Sequence, residues 1–214
     1  MKKLITLCLV TFIGVGLLFA QSDPVATKIL KRVSKKYKAY TTMTIGFTVI
    51  TENTVTKKTS KSSGKLWLKD QNFKYTYGGE QVFCNGKTQW TYNEEINEVT
   101  IEKYKKNENS ISPSNIFSLY EKGFQYRYDG LLSEKGVQYE KVLLTPKDKS
   151  KKFYQIEMVI NKSTSRIKKM KIFYKNGYRI TYLVNSFKPN NPLSTKFFEF
   201  DKSNFPEVVE VDLR

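Results

Sequence analysis

Glu94, Glu95, Glu98 and Glu102 crowd one short stretch, while Glu52 stands alone near the end of an apolar run. Paired carboxylates held at a fixed separation can hydrolyse glycosidic bonds. Asn93 and Asn97 interrupt this group, however, and asparagines of that kind mark a turn, where acids are ordinarily solvated. The chain contains no histidine. That excludes Ser-His-Asp and Cys-His nucleophiles and every zinc site that needs imidazole. Two cysteines, Cys8 and Cys84, cannot build a thiolate metal cage, and Gly78-Gly79 does not form a phosphate-cradling pattern. The expectation is a protein without catalytic residues, metal or cofactor, and not an enzyme.

Charge is the second chemical signal. Lys and Arg number 37 against 20 Asp and Glu, a net +17. From Met158 to Phe198 there is no acid, whereas Lys162, Arg166, Lys168, Lys169, Lys171, Lys175, Arg179, Lys188 and Lys196 all fall there. Such a surface suits nucleic acid, an anionic lipid or an acidic partner. Lys168, Lys169 and Lys171 are its candidate docking residues, with a solvated basic face as the competing reading. Strict alternation along a strand sets Lys169 and Lys171 with Ile167 and Phe173, and Arg166 and Lys168 with Met170, Ile172 and Tyr174.

The N-terminus decides between these partners. Met1-Lys2-Lys3, an uncharged run from Leu4 to Phe19, and then Ala20 before Gln21-Ser22-Asp23 have the form of a secretory signal peptide. Residues 1–20 are read as that signal and 21–214 as one exported domain, in which nucleic acid is not a partner. Losing Lys2 and Lys3 lowers the net charge to +15 and leaves Cys84 as a lone thiol, a small buried hydrophobe rather than a nucleophile. No later segment is long and apolar enough to span a bilayer.

The elements that would position these residues are one helix and many strands. Asp23-Pro24 is an N-cap followed by proline at the first helical position. Val25, Ile29, Val33, Tyr37 and Tyr40 then recur at helical spacing. After Thr41 the period becomes two: Met43, Ile45, Phe47 and Val49, then Leu66 and Leu68, then Phe73, Tyr75 and Tyr77. Asn85-Gly86 and Asn176-Gly177 read as type I′ hairpin turns. Further strands are expected at Phe124–Tyr128, Val137–Leu144 and Tyr154–Ile160, for ten or eleven in all, with a short apolar helix at Pro113–Tyr120. This is a mainly β (α+β) fold: a single highly curved antiparallel sheet with a thin helical cover. Its inner face is rich in large aromatics, which suits either a packed core or an apolar cavity for a greasy ligand.

Gly64-Lys65-Leu66-Trp67-Leu68-Lys69 with Phe73-Lys74-Tyr75 resembles the second and third strands of the periplasmic lipoprotein carrier family, LolA. So does Asn85-Gly86-Lys87-Thr88-Gln89-Trp90-Thr91-Tyr92-Asn93 with Glu98-Val99-Thr100. The order of elements is similar too, through Leu143-Leu144-Thr145-Pro146 to a Phe198-Glu199-Phe200 strand, Pro206 and a Val211-Asp212-Leu213-Arg214 ending of the Bacteroidetes type.

The resemblance implies an unclosed β-barrel whose helical lid encloses an apolar cavity for the acyl chains of lipoproteins. Such a periplasmic carrier, a monomer, takes its cargo from an inner-membrane lipoprotein-releasing transporter to an outer-membrane acceptor. Phe47, Val49, Leu66, Leu68, Phe73, Tyr75 and Tyr77 share parity across three strands and are the candidate cavity lining. Ile116, Phe117, Leu119 and Tyr120 are the candidate lid. Asp70 and Gln71 replace the arginine and proline of the better-known branch, so its lid latch does not transfer, and Asp70 either caps a turn or pairs with a helix lysine. An envelope module that binds lipid, glycolipid or peptide on the same half-barrel is the alternative.

Overall fold

A computed structural model describes residues 23–105 and 118–214. Residues 1–20, expected to be a signal peptide, and the candidate lid residues Ile116 and Phe117 lie outside the described residues, as does the side chain of Leu119. No described helix is long and apolar enough to cross a membrane.

Helix α1 spans Pro24–Lys38. Asp23 caps it, its carboxylate accepting from the amides of Val25 and Ala26, and Lys35, Lys36 and Lys38 complement the carbonyl end. Its buried stripe is Ala26, Ile29, Leu30, Val33 and Tyr37.

Twelve strands follow among the described residues: β1 Thr42–Asn53, β2 Thr59–Lys69, β3 Asn72–Tyr77, β4 Glu80–Cys84, β5 Thr88–Asn93, β6 Glu98–Lys103, β7 Phe124–Glu134, β8 Val137–Pro146, β9 Phe153–Asn161, β10 Ile167–Tyr174, β11 Tyr178–Pro189 and β12 Val209–Asp212. They form one sheet in the order β12-β6-β5-β4-β3-β2-β1-β11-β10-β9-β8-β7. Neighbours are antiparallel except β12 on β6, and the sheet does not close, because β7 and β12 are both edges.

Several expectations are corrected. Neither Asn85 nor Asn176 has a positive φ, which type I′ demands at both central residues; only Gly86 (φ 81) and Gly177 (φ 83) do. Within the expected apolar helix, the described part is only a 3-10 turn, Leu119–Glu121. Phe198-Glu199-Phe200 is not a strand: Thr195–Phe198 is a 3-10 helix and the chain continues irregularly. In β10 the register shifts between Ile167 and Lys169. This bulge at Lys168 places Ile167 with Met170 and Ile172 in the buried cluster, not with Lys169 and Lys171.

The two faces of the sheet carry separate cores. On the concave face α1 packs over Val142, Leu144, Ile156, Met158, Met170 and Ile172, while Ile45, Leu66, Leu68, Phe73, Val82 and Cys84 continue the apolar surface across β1–β4. On the convex face the segment after β11 crosses back to reach β6. Its rings meet those of the strands: Phe197 on Trp67, Phe200 on Phe83, and Phe205 on Tyr92 at 4.5 Å. Lys69 Nζ donates to the Leu193 carbonyl and Asn97 Nδ2 to the Pro206 carbonyl, pinning this strap at both ends.

Candidate functional site

The strand register sets the site. Phe47 stands opposite Gly64, Gly64 opposite Tyr77, Leu66 opposite Tyr75 and Leu68 opposite Phe73. Directly opposed residues share a face, so Phe47, Leu66, Leu68, Phe73, Tyr75 and Tyr77 lie together, with Val49 continuing β1 beside Tyr182. Val49, Leu66, Leu68 and Phe73 are buried, whereas Phe47, Tyr75 and Tyr77 are half-buried. Phe73 stacks on Tyr75 and meets Tyr104 edge-on at 5.5 Å. Burial raises the Tyr75 phenol above its ordinary range, with Glu80 adding to it, and pushes Tyr182 up to about 12.

Gly64 explains the half-buried ring. A Cβ there would stand 2.6 Å from Phe47 Cζ and 2.4 Å from the Thr76 carbonyl oxygen. Only glycine lets Phe47 lie across β2 and reach Tyr77, whose ring centroid is 6.1 Å away.

Helix α1 is held to the other half of the face by specific polar contacts. Arg32 pairs with the buried Glu140 of β8. The Ile167 amide donates to the Tyr37 hydroxyl at 3.0 Å. Ser34 Oγ and Lys38 Nζ donate to Glu121 at 2.5 and 2.8 Å. Burial works to raise the Glu121 carboxyl, but these bonds and the Lys38 charge outweigh it and hold it below the usual glutamate range. At the other end the Asp23 amide donates to the Tyr126 carbonyl, and the Tyr128 amide donates to the Asp23 carboxylate. The Tyr128 bond leads the causes that keep Asp23 below the ordinary aspartate value.

Of the lid residues, Tyr120 is 1% exposed beneath α1. A groove of about 560 Å³ runs between α1 and this turn, lined by Leu30, Lys31, Ser34, Lys38, Tyr120 and Tyr126 among others. None of the seven candidate cavity residues borders it.

Asp70 is exposed in the β2–β3 turn at φ 53, a turn position, and the ion pairs from α1 to the sheet and the Tyr120 turn among the described residues are Arg32–Glu140 and Lys38–Glu121. Lys169 pairs with Glu157 at 2.8 Å and Lys171 with Glu52 at 3.1 Å. Lys168 Nζ donates to the Val184 carbonyl. Two of these three candidate docking charges are therefore already engaged by carboxylates from neighbouring strands.

The acids near Asn93 bear out a turn: Glu94 accepts from Gln81, and Glu95 and its neighbours are solvent-facing. No group of acids, cysteines and histidines among the described residues has metal-ligand geometry. Cys84 is buried, and burial pushes its thiol up to about 11.

Sequence reasoning missed Val82, Tyr182 and Val184 as neighbours of the lining, and the whole convex strap. The first three follow from parity once the register is known. The strap had one usable signal, the clustering of Phe197, Phe198, Phe200 and Phe205 beyond the last hairpin.

An open antiparallel half-barrel, apolar on its concave face and capped there by a helix, defines a binding or carrier fold. The chain belongs to the outer membrane lipoprotein carrier protein LolA family, whose model matches residues 38–201. A conserved protein of Thermus thermophilus shares the fold at 15% identity, with a TM-score of 0.58 over 88% of this chain and 99% of that one. LprF from Mycobacterium bovis is similar at 14% identity and TM-score 0.49, covering 82% and 97%. A LolA superfamily protein from Nitrosomonas europaea is similar at 12% and 0.43, covering 82% and 97%. No curated protein matches the chain in sequence.

Proposed function

We propose that the protein carries lipoproteins across the periplasm, from an inner-membrane releasing transporter to an outer-membrane acceptor, with their acyl chains held on the concave face. The supporting observation is the uninterrupted apolar surface from Phe47 to Tyr77, half-buried at its aromatic edge, in a sheet that never closes. Each methylene kept from water contributes about 0.8 kcal/mol, so acyl chains need such a surface to cross an aqueous space. Val49, Leu66, Leu68 and Phe73 are buried, so cargo must displace what packs against them. In this reading α1 and the Tyr120 turn, which cover the neighbouring part of the concave face, are the part that moves. The protein acts as a monomer and without catalysis.

Leu68→Glu and Tyr75→Glu test the site. Each should cut binding of a fluorescent acyl probe while circular dichroism stays that of the folded sheet. Normal binding by both variants puts the site elsewhere. Native mass spectrometry of protein isolated from its own cells separates the two ligand classes: acylated protein supports the carrier, and free lipid or glycolipid alone supports a lipid-binding module.

A further inference from the structure

Three turns meet at one end of the sheet. Thr54, in the β1–β2 turn, donates through its amide and hydroxyl to the Gly177 carbonyl of the β10–β11 turn, at 3.0 and 2.8 Å. Lys175 then binds the β8–β9 turn, its amide donating to the Lys152 carbonyl and its Nζ to that of Lys149. Residues 54–58, 147–152 and 175–179 together carry eight cations and one acid, Asp148, whose carboxylate is occupied by Ser150. Out of this basic corner stands Val55, 77% exposed, with Tyr178 at 40% and Tyr154 at 49%. The turn of the same end that belongs to β5–β6 also exposes an aliphatic, Ile96 at 60%, but among Glu94, Glu95 and Glu98.

We propose that the Val55 corner is a peripheral docking surface for an anionic lipid bilayer. An exposed aliphatic at a turn tip is unfavourable in water and favourable in the acyl region, and tyrosine is suited to the boundary between the two. Lysines are point charges on flexible stems, matched to a fluid layer of anionic headgroups rather than to fixed carboxylate geometry. Binding by the acidic β5–β6 corner is opposed by the same field, so the molecule meets the membrane with its β1, β8 and β10 turns. This differs from the mid-strand Lys169 and Lys171, whose charges are taken up by Glu157 and Glu52. The inference does not depend on what the concave face carries.

Flotation of the purified protein with vesicles tests it, using phosphatidylcholine alone and phosphatidylcholine mixed with phosphatidylglycerol. The protein should float with the anionic vesicles only. Lys57→Glu with Lys58→Glu should weaken that binding about tenfold or more, and Val55→Ser several-fold, while acyl-probe binding is unchanged. Equal binding to neutral vesicles, or anionic binding untouched by these variants, overturns the proposal. So does tight capture by polyglutamate combined with a Val55→Ser variant that still floats normally, which would make the corner a surface for acidic polypeptide. Leu68→Glu should float as the parent does even where probe binding fails, which keeps this test separate from that of the cargo site.

Discussion

Leu66, Trp67 and Leu68 are consecutive, yet they end in two different cores. The leucines face the concave surface and Trp67 meets Phe197 on the convex one. Alternation made that division readable, and it placed all seven candidate lining residues on one face. What alternation could not reveal was a bulge: the extra residue at Lys168 moved Ile167 to the other face, and nothing in Arg-Ile-Lys-Lys-Met announces where a ladder will slip. At this scale two outcomes are expected. Phe198, a fully buried residue of the strap, should cost about 3–5 kcal/mol on truncation to alanine, read from urea unfolding; a loss near zero would mean the strap is not part of the folded core. The Cys84 thiol, pushed up to about 11, should be roughly one part in a thousand thiolate at pH 8. A thiol reagent should therefore label it only in denaturant, and prompt labelling of the native protein would contradict its burial.

Helix α1 was legible because capping, proline and a 3.6-residue stripe agree on it. Its anchoring was not, since Arg32 and Glu140 are far apart in sequence and Glu121 follows a segment whose helical pattern ends in a mere 3-10 turn. The ties are electrostatic, which makes the cover sensitive to acid. Glu121 and Asp23 both have folded carboxyls below their ordinary values. Their contribution is therefore complete above the unfolded value and fades as pH falls through the folded one. Hydrogen exchange at residues 118–121 should accelerate between about pH 5 and pH 3, after correction for intrinsic rates, more than in the central strands. Glu121→Gln should flatten that response; an unchanged profile would remove Glu121 from the anchoring. Arg32→Met should destabilise by about 1–3 kcal/mol, because Glu140 is left buried without its partner. Adding Glu140→Leu should recover most of the loss, and failure to recover it would show that Arg32 acts through packing alone.

Across the whole molecule, the curved sheet and its apolar inner face were readable from period-two patterning and hairpin signals. The return of the C-terminal segment over the outer face was not, because Phe197, Phe198, Phe200 and Phe205 are spaced for neither helix nor strand and only the tertiary fold shows what they cover. Covering the outer face of β2–β5 separates two surfaces of the molecule: an outer one sealed by the strap, and an inner one that carries the candidate lining. The most direct measurement of this account is site-specific photo-crosslinking with a triacylated lipopeptide. A photoreactive phenylalanine at Tyr75 or Tyr77, on the inner face of β3, should crosslink to the acyl chains, and one at Ile50 of β1 or Thr76 of β3, on the outer face, should not. Crosslinking from the outer positions with silence at Tyr75 and Tyr77 would contradict it.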